Sequence, residues 1–239
     1  MYCEGNCIEK IENLDNCKNI LCLYLQENII KKIENLDPLE KLHSLNLSDN
    51  FITKIENLSN NKQLETLQIK RNRVGINGIE DINHLKELDA VSSLDIQSNQ
   101  IDLENPDDFI EILKQMKSLA VLYMQNNPIC KKISHYRKKL IYSLPNLKYL
   151  DDRPVFDDER RYALAFQRGG IEEERLERDK YREEQKEFHR RQHEQFKRRF
   201  IDQNPEPQIE SESENESRQS ARTSELDTYN SINLTKSNL

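Results

Sequence analysis

The string Lys-Ile-Glu-Asn-Leu occurs three times, at 10–14, 32–36 and 54–58, each copy 22 residues after the last. A second series runs in phase with it. Asn6, Asn28, Asn50 and Asn72 are 22 apart, and Asn99 and Asn127 continue it at wider steps. Apolar residues precede each later asparagine at fixed offsets, as in Leu42, Leu45 and Leu47 or Leu119, Leu122 and Met124. An Ile or Val follows each asparagine two positions on. A unit this short cannot bury its own apolar side, so the units must stack and share one core. The Leu-x-Leu alternation puts both side chains on one face of a short strand. Ile33, Leu36, Leu39 and Leu42, three apart, suit a tight helical or 3-10 return. Each ladder asparagine turns the chain after its strand, and its amide is expected to bond backbone groups of neighbouring coils.

This is the leucine-rich-repeat pattern, and it predicts an α/β solenoid of short parallel strands with helical or 3-10 returns. Residues 1–150 form the repeat domain with a C-terminal cap, read from Tyr136, Leu140, Leu144, Leu147 and Leu150. Met1 falls on a strand position, so the first coil presents a raw edge. Two coils exceed 22 residues, and their extra chain, around Gly75–Gly78 and Asn105–Asp108, belongs on the convex side. In the second, Asp107 or Asp108 is expected to cap a helix carrying Phe109, Ile112, Leu113 and Met116.

Residues 151–170 read as a connector, with Pro154 in a turn, Val155 and Phe156 as anchors on the cap, and Gly169-Gly170 as a hinge. Residues 171–203 read as a single charged helix with acid-first pairs four apart, such as Glu174–Arg178 and Glu187–Arg191. That helix is either plainly solvated or a docking arm whose stripe is Phe188, Phe196 and Phe200. Residues 204–239, rich in Ser, Glu, Asn and Gln, read as a disordered acidic tail.

Charge argues against nucleic acid as a partner: residues 1–150 carry 19 Lys and Arg against 21 Asp and Glu, and the chain's net charge is −7. No run approaches the roughly 18 apolar residues of a membrane span. The five cysteines lack paired zinc spacing, and Cys3 and Cys17 fall on apolar positions of the repeat. His189 and His193 share a helical face but lack a third ligand and a catalytic glutamate. With no nucleophile elbow or phosphate loop either, the sequence points away from catalysis, cofactors and small-molecule substrates. What remains is the concave face, whose central column reads Tyr24, Asn46, Gln68, Asp95 and Tyr123. Tyrosines and amides of that kind suit protein contact.

The segment Tyr149-Leu-Asp-Asp-Arg-Pro-Val-Phe156, then Glu159-Arg160, Ala163, Ala165 and Arg168-Gly-Gly170, resembles the dynein axonemal assembly factor 1 family. The Leu-Tyr-Leu-Gln at 23–26 and the repeated Lys-Ile-Glu-Asn-Leu resemble its repeats as well. The resemblance implies a non-enzymatic scaffold for preassembling axonemal dynein arms in the cytoplasm, associated with cilia or flagella. Its implied partners are axonemal dynein subunits and chaperone or assembly proteins. Similar repeats and caps also occur in a phosphatase-1 regulatory subunit, and a structural axonemal component is a third reading.

Overall fold

The structure is a computed structural model that describes residues 1–203, with side chains described through residue 199. It falls into two compact units, Met1–Arg182 and one beginning at Glu183.

In the first unit each coil contributes one three-residue strand: β1 Cys22–Tyr24, β2 Ser44–Asn46, β3 Thr66–Gln68, β4 Ser93–Asp95 and β5 Val121–Tyr123. These pair in sequence order and in parallel, with Leu23, Leu45, Leu67, Leu94 and Leu122 in one row. Every leucine of that row is almost wholly buried, and burying one such side chain contributes roughly 1.5–3 kcal/mol. Tyr2 continues the sheet through a parallel bridge to Tyr24.

The ladder asparagines stitch the coils together. Asn50 Nδ2 donates to Leu25 O of the previous coil at 2.9 Å and to Leu47 O of its own at 3.1 Å, while its Oδ1 accepts from Ile30 N at 2.9 Å. Asn28, Asn72, Asn99 and Asn127 repeat this reach back to Cys3, Leu47, Ile69 and Ile96 and are all buried. Asn6 departs from the expected ladder. It is exposed, and its side-chain amide donates to Glu4 O at 2.7 Å and not to another coil.

The asparagine of Lys-Ile-Glu-Asn-Leu forms a second ladder that periodicity alone left unexplained. Asn13, Asn35 and Asn57 have φ of 62°, 58° and 58°, the left-handed region that asparagine tolerates better than most residues. Asn35 and Asn57 donate to Ile11 O and Ile33 O of the preceding coil at 2.6 and 2.7 Å.

The long coils place their extra residues in two 3-10 turns, Ile79–Asp81 and Asn83–Glu87, and in helix α1, Pro106–Gln115. Helix α1 buries Phe109, Ile110, Ile112 and Leu113. Its cap is Asn105, two or three residues earlier than expected. Asn105 Oδ1 accepts from Asp107 N at 3.2 Å, and Pro106 at the first helical position loses nothing by lacking an N–H. Asp107 and Asp108 sit instead in the first turn, where their charge faces the helix's positive end.

The cap consists of α2 Ile129–Lys132, α3 Tyr136–Ser143 and a hairpin of β6 Tyr149–Leu150 with β7 Arg153–Pro154. Strand β6 pairs parallel to β5, and β7 pairs antiparallel to β6, closing the sheet. Pro154 therefore lies in a strand. The turn is made by Asp151, at φ 55°, and Asp152. Val155 packs on the core, but Phe156 is 62% exposed. Both residues lie in the link after β7, where Val155 N donates to Lys148 O at 2.8 Å and its side chain turns inward, so only Val155 acts as an anchor.

The helical run Asp157–Gln203 is broken by non-helical backbone at Gly169 and Gly170. Residues 157–168 form α4, and residues 171–182 form α5, which folds back along it. Arg161 pairs with Glu177 at 2.6 Å, Tyr162 meets Tyr181 edge-on, and Arg178 lies over the Tyr162 ring at 4.2 Å. The expected solitary helix over 171–203 is thus a packed element over its first three turns. Pairs across two helices compete with solvent there, and the glycine pair allows the reversal. In the second unit, residues 183–203 are helical and carry their own pairs, including Lys186–Glu183 at 2.8 Å and Arg191–Glu187 at 2.7 Å. The tail at 204–239 lies outside the described residues.

Candidate protein-interaction face

Each strand has the pattern outward, buried, outward around its central leucine. The register aligns Tyr24, Asn46, Gln68, Asp95 and Tyr123 as neighbours across five strands. The structure thus brings together the residues predicted for the face. A second outward column, Cys22, Ser44, Thr66, Ser93, Val121 and Tyr149, runs beside it. That column went unread because it precedes the Leu-x-Leu signature rather than falling inside it.

Aromatic rings mark the two ends of the face. Tyr2 stacks on Tyr24 with centroids 4.8 Å apart, and Tyr123 lies tilted against Tyr149 at 6.0 Å. The Cys22 thiol beside it, with some burial and the Tyr2 phenol, holds the Tyr24 hydroxyl above its usual range. Burial does the same for Tyr123, helped by Tyr149 and Asp152. Both phenols therefore remain protonated donors at neutral pH.

The middle of the face is more self-contained. Asn46 and Asp95 each turn one side-chain oxygen onto their own strand, accepting from Ser48 N and Gln97 N at 3.0 Å. Burial raises the Asp95 carboxyl, against the lowering effect of Gln97 N–H, Lys70 and Arg71. Arg71 is held in a two-point pair with Asp49, its Nη2 2.7 Å from Oδ2. The face is accordingly aromatic at both ends and amide-rich between, a mixed surface with phenol and amide donors facing outward.

In the second unit Phe188 and Phe196 are 54% and 68% exposed, and the Phe188 ring lies edge-on to His189 at 5.9 Å. Phe200 lies in the helix, with its side chain outside the described residues. Among the described residues no group of three or more His, Cys, Asp or Glu is placed to hold a metal, and no helix is long and apolar enough to cross a membrane.

The residues after the cap turn out to be a clamp. Arg137 forks onto both oxygens of Glu159 at 2.6 and 2.7 Å and donates to Pro154 O at 2.8 Å. Arg160 donates to Ile141 O at 2.9 Å and Leu144 O at 3.1 Å, and to Leu147 O, covering carbonyls at the end of α3. Ala163 and Ala165 are fully buried, where larger side chains would hold α4 away.

Repeat, ladder and clamped cap together define a protein-interaction solenoid, and the chain belongs to the leucine-rich-repeat family, whose sequence profile matches residues 22–179. Within that family it is 46% identical over 116 residues to the leucine-rich repeat-containing protein ODA7 of Chlamydomonas reinhardtii, a match covering 48% of this chain and 26% of that protein. It is 40% identical over 101 residues to dynein axonemal assembly factor 1 of Homo sapiens, covering 42% of this chain and 14% of that protein. The human relative carries the family name that the post-cap residues resemble, and the matched stretch is about a quarter of these relatives' length or less. Among solved structures, the Drosophila melanogaster SNF/U2A' complex matches 74% of this chain and 84% of that chain at 22% identity, with a TM-score of 0.43.

Proposed function

We propose that this chain is a non-enzymatic scaffold in the assembly of axonemal dynein arms. The observation that carries the reading is its 46% identity to the algal relative together with the assembly-factor name of the human one. Those names favour it over a phosphatase-regulatory subunit. On this reading the open face, with Tyr24, Gln68 and Tyr123 as its outward donors, holds one component, an axonemal dynein subunit or a chaperone. The arm, with Phe188, Phe196 and Phe200, engages another. Both contacts are made in the cytoplasm before the arms enter the cilium or flagellum.

The test is fractionation of ciliated cells joined to removal of the chain. The chain should be found with dynein subunits in the soluble cytoplasm, and axonemes from cells lacking it should be short of dynein arms. A chain found in isolated axonemes, with normal arms after its removal, makes it neither an assembly factor nor needed for assembly.

A further inference from the structure

The way α5 is attached differs from that of the other α-helices of the first unit. Coils, α1 and α3 are held by buried apolar side chains, whereas among the described residues of 171–182 the one buried side chain is the carboxylate of Glu174. The aliphatic residues there point away, Ile171 being 72% exposed and Leu176 64%. The contacts that dock α5 are charged or aromatic-polar. Glu174 Oε2 accepts from Lys138 Nζ of α3 at 2.5 Å, and its Oε1 accepts from Arg178 Nη2 at 2.8 Å. Burial pushes the Glu174 carboxyl up, but these two hydrogen bonds outweigh it and hold it below its usual range. Arg161 pairs with Glu177 at 2.6 Å and lies over the Tyr181 ring at 5.1 Å. Lys138 also sits 4.6 Å above the Phe166 ring of α4, so one lysine ties three helices together.

The turn is specific to glycine. Gly170 has φ 69° and ψ −148°, a conformation essentially restricted to glycine, and a side chain there would meet nothing within 4 Å. A Cβ at Gly169 would come 2.9 Å from Glu173 Cβ, so the reversal needs glycine for space at one position and for backbone conformation at the other. Attachment through ion pairs weakens as salt rises, less for a buried carboxylate such as Glu174 than for an exposed one, while burial of apolar surface is not screened.

We propose that residues 171–182 are a releasable strap, pivoting on Gly169–Gly170 and held to α3 by the Lys138–Glu174 pair and to α4 by the Arg161–Glu177 pair. The strap lets go as a unit while the repeats and α4 stay folded. Without its docking contacts this stretch becomes the fraying N-terminal end of the helix that runs on to Gln203, so release exposes its amides to exchange.

The experiment is amide hydrogen exchange on the full chain, with sodium chloride raised from about 0.1 M to about 1 M to shorten the Debye length from about 10 Å to about 3 Å. Protection over 171–182 should fall about tenfold or more, with the ladder amides and α4 unchanged. Glu174→Gln should produce the same loss already at low salt, and Glu177→Gln provides an independent second variant. Protection over 171–182 that is indifferent to salt and to both substitutions would overturn the strap. So would loss of protection in α4 and α5 together, because the two would then be one cooperative unit with no pivot.

Discussion

Asn50 Oδ1 accepts the backbone N–H of Ile30, twenty residues earlier, at 2.9 Å, and so fixes the spacing of two coils with one side chain. Replacing Asn50 by Ala leaves that N–H buried without a partner and leaves the Leu25 carbonyl with the Asn28 amide as its remaining donor, at 3.0 Å. The expected destabilisation is about 1–3 kcal/mol, read by thermal or denaturant melting. Asn6→Ala, at the exposed position, is expected to leave the midpoint unchanged. Equal effects at the two positions would mean that the reach to the previous coil contributes nothing.

The buried Asp151 organises the cap in a similar way, accepting from Met124 N at 3.0 Å and from the Tyr136 hydroxyl at 2.9 Å. Burial first, then the Asp151 carboxylate and the Cys130 thiol, holds the Tyr136 hydroxyl far above its ordinary 10.0. The folded chain keeps that proton where the unfolded chain loses it. Tyr136 therefore contributes stability in full below about pH 10 and loses it as pH rises further. Tyr136→Phe should lower stability at neutral pH by about 1–3 kcal/mol. Its melting temperature should also decline less steeply than the wild type's above pH 10. Parallel declines would place the titration elsewhere.

For α1, Asn105→Ala should cost about 1 kcal/mol, the value of a lost N-cap. Asp107→Ala removes charge near the helix N-terminus together with the pair to Lys139, and Asp108→Ala removes charge together with the acceptor of Asn105 Nδ2; each should cost roughly 0.3–1 kcal/mol. Urea denaturation of the three variants orders them. A larger effect at Asp107 than at Asn105 would return the cap to the position that the sequence first indicated.

Gly75 is required by both space and backbone. It sits at φ 94°, and a Cβ there would come 2.6 Å from Ile101 Cα and 2.9 Å from Ile101 N. Neither backbone atom can move without shifting the next coil. Gly75→Ala is expected to destabilise by at least about 1–3 kcal/mol, the strain of a disfavoured backbone conformation alone. Gly78→Ala, at φ 89° with nothing within 4 Å of the added carbon, carries the strain without the collision. Its melting midpoint should fall less.

The solenoid was legible because its signals are periodic. Leu45 and Asn50 recur at fixed spacing, and a repeat dictates its own register. Single-copy features were harder to read. Asn105 was passed over as a cap because two aspartates follow it, and Phe156 looked like an anchor because hydrophobicity does not say which way a residue in a short link faces. The fold-back of α5 was missed for a physical reason. Helix formers with acid-first pairs describe a solvated helix equally well, and Glu174, buried between Lys138 and Arg178, carries no apolar signature. Glu159, Arg160, Ala163 and Ala165 were read only as a family motif, yet each has a packing or hydrogen-bonding role in closing the cap. The open-face column was legible as far as register, because alternation fixes which residues face outward. The self-bonding of Asn46 and Asp95 depends on rotamers that spacing does not encode.

The central claim is that the open face holds a component of dynein-arm assembly, and the most direct measurement is arm restoration by an open-face variant. Tyr24→Ser with Tyr123→Ser removes the two outward phenols while leaving Leu23 and Leu122 in the core. Ciliated cells lacking the endogenous chain would receive either the full wild-type chain or this variant, and dynein arms would be counted by electron microscopy of their axonemes. The expected result is restoration by the wild type and failure by the variant, with the purified variant melting as the wild type does. Full restoration by the variant would contradict the claim and place the interaction elsewhere on the chain.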